Sequence, residues 1–215
     1  MDTTEYWDIR LKSLQNVLRK NNFEAYVAEN CSSAKDMVMQ TVIPKIGAQT
    51  VLRGDSMTCI EAGLFDALAD LPGISYIDPW IDGVPVEERS EFLRHKLAVD
   101  LMVTGTNAVT EKGQLVNLDM VGNRIGGITF GPKYVVVLAG RNKLVPDLDA
   151  AVERIRNYAA PANAMRFGLQ TPCTKTARCE DCSSPDRICN AWSILEKSYP
   201  KGRVKVVLIN EDLGL

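Results

Sequence analysis

The sequence predicts an α/β fold with a largely parallel sheet and flanking helices. Three observations carry that expectation. Helical and strand-like segments alternate along nearly all of the 215 residues, the pattern of crossover-connected parallel strands. Two strand segments, "DLMVTG" and "KYVVVLAG", are near-continuous apolar runs of the kind covered on both faces. The one interruption, residues 160–190, is long, polar, cysteine-rich and aperiodic, the marks of a segment that is functional or held together by something other than a core.

In chain order, Trp7, Leu11, Leu14 and Leu18 recur at helical spacing and mark an amphipathic helix. "FEAYVAE" (23–29) reads as a strand. "SSAKDMVMQTVIP" reads as a helix capped by a serine and stopped by Pro44. "QTVLRG" is a short buried strand, and "DSMTCIEAGLFDALADL" a helix capped by Asp55 or Ser56. "ISYID" is another strand, and "PVEERSEFLRHKLAV" a polar-faced helix. After the strand "DLMVTG", Glu111–Lys112–Gly113 turns a hairpin between "AVT" and "QLVNL". "DLDAAVERIRNYA" is a helix, and "GRVKVVLINE" the closing strand.

A hydrophobic fraction of 46% and a charged fraction of 24% are those of an ordinary globular protein. The net charge of −2 gives no bulk attraction for nucleic acid or an anionic membrane. The start, "MDTTEYWDIR", is acidic and lacks the apolar stretch of a secretory signal, and no apolar run reaches the roughly 18 residues of a membrane span. A cytoplasmic location is therefore the expectation. There thiols stay reduced, which favours ligand or redox roles for clustered cysteines over structural disulfides.

Two polar, glycine-bearing stretches follow apolar strands, where open α/β sheets place ligands. In "RGDSMT", Gly54, Ser56 and Thr58 offer backbone N–H groups and hydroxyls at a helix start; plain N-capping is the alternative. In "VTGTNAVTEKGQLVNLDMVGNRIGG", Gly105, Thr106, Asn107 and Asn123 add donors and acceptors, and Arg124 can hold a carboxylate or phosphate. Lys143, in "GRNKLV", stands at a strand end as a second positive charge, or else in a solvated turn. These nine residues are expected to meet in one pocket for a small anionic ligand, with Arg124 and Lys143 as counter-charges. His95 sits on a charged helix and reads as a surface residue. Cys31 and Cys59 are isolated and read as buried packing. No nucleotide cofactor is evident.

Cys173, Cys179, Cys182 and Cys189 have the spacing C-x5-C-x2-C-x6-C. Two thiolates two residues apart can grip one ion, so zinc or an iron–sulfur cluster is expected, and the spacing does not separate them. Lys175, Arg178 and Arg187 would offset thiolate charge. Disulfides and free thiols are the alternatives.

"LMVTGTNAVTEKGQLVNLDMVGNR", "FGPKYVVVLAGRNKLV", "AAPANA", "TPCTKTARCEDCSSPDRICN" and "GRVKVVLINEDLGL" together resemble the LUD-domain family of LutC/YkgG-like lactate utilization proteins. The resemblance implies one domain over 1–215, with the cysteine-rich segment 171–190 inserted before the last strand. It implies a Rossmann-like fold related to the sugar isomerase and CoA-transferase group. It also implies a part, as accessory subunit or oxidoreductase component, in oxidising lactate to pyruvate beside partner subunits that carry iron–sulfur clusters. It leaves open whether the chain is itself an enzyme, and in what oligomeric state it works. "VDLMVTGTNAVTEKGQLVN" is more distantly similar to methylthioribose-phosphate isomerase-like proteins, but Asn107 stands where their aspartate would move protons and Leu118 where they have lysine. An amide cannot be a general base at neutral pH. A phosphosugar isomerase, a CoA-transferase-like enzyme and a thiol-based redox sensor are the alternative functions.

Overall fold

A computed structural model describes residues 3–80 and 85–215. Residues 1–2, part of the acidic start considered above, lie outside the described residues. Six strands form an all-parallel sheet: β1 (Glu24–Ala28), β2 (Thr50–Arg53), β3 (Ser75–Ile77), β4 (Leu101–Gly105), β7 (Tyr134–Gly140) and β10 (Val204–Ile209), in the order β1-β10-β7-β4-β2-β3. A smaller sheet, β8-β5-β6-β9, holds β5 (Ala108–Thr110), β6 (Leu115–Asp119), β8 (Leu144–Val145) and β9 (Ala191–Leu195).

The apolar runs in β4, β7 and β10 are explained by two cores, one on each face. Successive side chains alternate between them. Leu101, Val103, Val136, Leu138, Val207 and Ile209 face one core; Met102, Val135, Val137, Val206 and Leu208 face the other. The first core is closed by α2 (Cys31–Met37), α3 (Ile43–Ile46), α4 (Met57–Glu61) and α5 (Leu64–Ala69), with Ala34, Ile43, Cys59 and Leu64 buried there. The second is closed by α1 (Thr4–Lys20), α6 (Val86–Lys96) and α7 (Asn123–Thr129), through Leu11, Leu14, Leu18, Leu93 and Ile128. A third cluster joins the small sheet to α8 (Leu148–Arg154), through Ala108, Val116, Leu118, Val145 and Ala151.

The hairpin at 111–113 forms as expected, with Val109 opposite Leu115. Other boundaries differ. The second helix is capped by Asn30, whose side chain accepts from Ser33 N at 2.9 Å, and not by a serine. Pro44 does not stop it. A π-helical turn, Val38–Val42, precedes Pro44, which sits in the first turn of α3, where its missing N–H leaves no hydrogen bond unmade; the helix ends at Gly47 in the left-handed region. The run 55–71 splits at Gly63 into α4 and α5. The helix at 148 passes through a second π-turn, Ile155–Ala159, into α9 (Ala160–Arg166). Segment 171–190 precedes β9, an edge strand that the sequence did not announce, so the strand directly after it is not the last one. Among the described residues no helix is long and apolar enough to cross a membrane.

Chain direction decides where a ligand can sit. After β2 the chain enters α4 and α5 on one face of the large sheet, whereas the α7 that follows β4 and the hairpin lies on the other. Neighbouring strands whose connections leave toward opposite faces open a crevice at their carboxyl ends. In this chain β2 and β4 are such neighbours.

Candidate functional site

Two glycines allow the strand ends to close up. A Cβ on Gly54 would lie 2.7 Å from Cβ and Oγ1 of Thr104, and one on Gly105 would lie 2.5 Å from Oγ of Ser56. Gly54 N donates to Val103 O at 2.8 Å, so the loop after β2 is stitched to β4. Ser56 Oγ accepts from Cys59 N at 3.2 Å and caps α4, which at five residues is a single short turn. The capping alternative for this loop is thus realised, with Ser56 and not Asp55 as the cap.

Beyond these ends lies a cavity of about 350 Å³, at the lower end of the roughly 300–1,000 Å³ of small-molecule sites. Ser56, Gly105, Thr106, Asn107, Asn123, Arg124 and Lys143 line it. Gly54 and Thr58 do not. Gly54 is consumed by the approach to Thr104. Thr58 is fully buried behind the wall, where its Oγ1 accepts from Lys143 Nζ at 2.7 Å and lies 3.3 Å from Leu213 O.

Lys143 is not in a solvated turn. It ends a 3-10 turn after β7, is 4% exposed, and has no ion pair among the described residues. Burial, reinforced by the charges of Arg154 and Arg124, pushes its ammonium down to about 7, with Cys59 and Glu61 opposing. Arg154, partly buried behind the wall, bonds the carbonyls of Asn142 and Asn107 and is also lowered by burial.

Arg124 departs from the expected free counter-charge. Its Nε and Nη2 lie 2.9 and 2.6 Å from Asp119 Oδ1, and Asp119 is a buried carboxylate whose other oxygen accepts from Ile125 N at 2.8 Å. Nη2 also reaches Asn107 Oδ1 (2.8 Å) and Leu118 O (3.1 Å). The guanidinium is therefore held rigidly, and much of its charge is answered by Asp119. Asn107 is committed too: Oδ1 accepts from Leu118 N and Arg124. Where a proton-moving carboxylate was sought, an amide fixes the arginine instead.

Several wall residues were missed by sequence reasoning. Trp80, whose indole Nε1 is buried without a partner, Met57, Leu118, Met120, Ile155, Phe167 and Ile188 give the cavity an apolar body. Arg166 pairs with Asp55 at 3.3 Å across the mouth. Met57, Leu118 and Met120 lie within the two stretches already singled out, whereas Trp80, Ile155, Arg166, Phe167 and Ile188 come from distant segments that only folding unites. The single local clue was Asp119, five residues before Arg124.

Among the described residues no three Cys, His, Asp or Glu side chains are arranged to hold a metal ion. Cys173 Sγ is engaged by Thr171 Oγ1 at 3.2 Å at the head of α10 (Cys173–Thr176). Cys189 leans on the third core cluster; burial raises its thiol, Arg187 opposes this, and Cys179 and Cys182 are near enough to add to the rise. Hydrogen bonds tie segment 171–190 together. Gln170 N donates to Asp186 Oδ2 at 3.0 Å, Arg187 donates to the carbonyls of Cys182 and Cys189, and Asn190 reaches Met120 O. Arg187 thus organises the turn through carbonyl oxygens and, as expected, its charge also lowers the Cys189 thiol. Cys59 is fully buried and pushed up to about 12, as packing requires; Cys31 is half-buried. His95 is exposed and bonds Glu91.

Fold and site together define a parallel α/β protein with an apolar-bodied, cation-rich cavity at the carboxyl edge of its sheet. The chain belongs to the LUD-domain family, whose model matches residues 11–209. A DUF162-family protein from Deinococcus radiodurans superposes with a TM-score of 0.53 at 12% identity, covering 94% of this chain and 98% of that one, and shares the fold. Ribose 5-phosphate isomerase from Plasmodium falciparum aligns over 54% of each chain at 16% identity, with a TM-score of 0.32. 5-Methylthioribose 1-phosphate isomerase from Pyrococcus horikoshii covers 85% of this chain and 51% of its own at 12% identity, with a TM-score of 0.31. At such scores neither isomerase informs the chemistry. No curated protein matches the chain.

Proposed function

We propose that this chain is a LutC-like lactate utilization protein, an accessory subunit or oxidoreductase component in the oxidation of lactate to pyruvate. It binds a small carboxylate anion in the cavity beyond β2, β4 and β7. Family membership supports the pathway class. The observation that carries the ligand class is an imbalance of charge. Lys143 is buried on the cavity wall without a carboxylate partner among the described residues, and the partly buried Arg154 behind it bonds carbonyl oxygens, while Asp119 and Asp55 answer Arg124 and Arg166. Buried charges are normally paired, and an anionic ligand completes this set. Electrons from the substrate would pass to iron–sulfur partner subunits in the cytoplasm, so the chain need not carry a cluster of its own.

Calorimetric titration with lactate, pyruvate and phosphate tests the reading. A carboxylate should bind, and Lys143→Met should weaken it by about tenfold or more, since a charge-assisted hydrogen bond contributes roughly 1.5–3 kcal/mol. Absence of binding by all three anions, or an affinity unmoved by Lys143→Met, would overturn it.

A further inference from the structure

We infer that Lys143 is a carbonyl-capturing amine: its Nζ forms an imine with the oxo group of a small 2-oxo acid whose carboxylate lies at the polar end of the cavity. This rests on the anion-pocket reading and goes beyond it by giving Lys143 a covalent role.

Four observations converge on this residue. Among the described residues Lys143 is the one lysine on the cavity wall, and at 4% exposure it meets little bulk water. Its hydrogen bond is to a neutral oxygen, Thr58 Oγ1, at 2.7 Å. A carboxylate partner would hold the group as ammonium; a hydroxyl that lies 3.3 Å from Leu213 O can accept one N–H and leave the nitrogen lone pair free. Arg154 and Arg124 add positive charge on the same side, which disfavours a second cation and favours a carboxylate beside the carbonyl. With burial, these charges bring the ammonium down to about 7, so near neutrality the free amine is on the order of a thousandfold more abundant than on a surface lysine. Desolvated lysines next to other cations are the kind activated for Schiff-base formation.

The step balances without an oxidant. The Nζ lone pair attacks the carbonyl carbon, a C–N bond forms, and the former carbonyl oxygen takes up the proton that nitrogen sheds. The nitrogen lone pair of the resulting carbinolamine then expels that hydroxyl, which takes up one proton from solvent and leaves as water, so a protonated imine remains. The cation then stands beside the bound carboxylate, and Thr58 is the positioning residue that orients the amine.

The test is reductive trapping. The full-length protein is incubated with pyruvate and cyanoborohydride near pH 7.5 and followed by intact mass and peptide mapping, while calorimetry with lactate checks the pocket separately. Lactate has the carboxylate but no carbonyl. The expected result is one N-carboxyethyl group per chain, on Lys143, formed at least about tenfold faster than on any other lysine, slowed by excess lactate and lost in Lys143→Arg. Mapping of the parent protein keeps the result readable should that variant fold poorly. Lactate binding without trapping overturns the imine and leaves the pocket standing. Trapping spread evenly over surface lysines, or undiminished in Lys143→Arg, also overturns it. Failure of both lactate binding and trapping removes pocket and imine together.

Discussion

Lys143 and Arg124 share one cavity wall and obey opposite electrostatic logic. Lys143 is buried with a hydroxyl, so its charged form is disfavoured in the folded chain. In the unfolded chain it titrates near 10.5, in the folded chain near 7. Between those values the unfolded state binds more protons, so the contribution to stability rises as pH goes from about 7 toward 10.5. Below 7 the whole cost of charging a buried amine is present. Lys143→Met should therefore raise stability at pH 6 by an amount on the order of a few kcal/mol, and the gain should shrink toward pH 10. Thermal unfolding of both proteins across that range checks this; a gain independent of pH would contradict the burial argument. Arg124, in contrast, neutralises Asp119, whose side chain is 1% exposed. Arg124→Ala should destabilise by about 3–5 kcal/mol, because it strands a buried carboxylate. Asn107 loses an orienting partner in the same variant. Replacing both Arg124 and Asp119 by leucine should recover much of that loss, as a double-mutant cycle by urea unfolding would show.

The elements matter through how tightly their ends are joined. The loop after β2 reaches β4 only because Gly54 has no side chain, so Gly54→Ala should cost about 1–3 kcal/mol by pushing Thr104 and the strand apart. It should also weaken whatever binds beside Ser56, measured by the same titration in both proteins. At the other wall α7 is held by Arg203, a buried arginine that donates to the carbonyls of Gly127 and Ile128 at the helix end and of Pro132 beyond it. These carbonyls have no other way to be satisfied away from water. Arg203→Met leaves them orphaned and should destabilise by roughly 1–3 kcal/mol. Because α7 begins with Asn123 and Arg124, the same variant should loosen the cavity, seen as faster amide exchange over 123–129.

Across the whole molecule, two sheets meet at the cavity, and segment 171–190 joins its wall through Ile188, next to Cys189. The large sheet supplies Gly105 and the loop after β2; the smaller sheet supplies Leu118 and Asp119, and α9 closes over the top with Asn163 and Arg166. Thiol accessibility follows the same architecture. Cys179 and Cys182 lie on the partly exposed outer segment, whereas Cys59 sits in the first core with its thiol pushed up to about 12. A thiol-reactive dye at pH 8 should label Cys179 and Cys182 in the native protein and Cys59 only after denaturation. Labelling of Cys59 in the native protein would show that the first core opens.

The sequence by itself determined the alternation of elements, the burial of β4, β7 and β10, and the end of the sheet at which the cavity lies. These are local properties: helical spacing at Leu11, Leu14 and Leu18, unbroken apolar runs, and polar glycine loops directly after strands. Ser56, Gly105, Thr106, Asn107, Asn123, Arg124 and Lys143 were legible as one pocket because strand direction alone carries their loops to the same edge. What each residue does there was decided only by tertiary structure. The neutral partner of Lys143 lies 85 residues away in sequence, and no spacing rule links two such positions. Asp119 answers Arg124 only because α7 folds back over the end of β6. Pro44 stays within its helix because a π-turn precedes it. The cysteines had suggestive spacing, but spacing constrains only separation along the chain. Hydrogen bonds from Arg187, Gln170 and Asn190 set the path of that segment, and among the described residues no three ligand side chains are gathered as they would be to hold a metal ion.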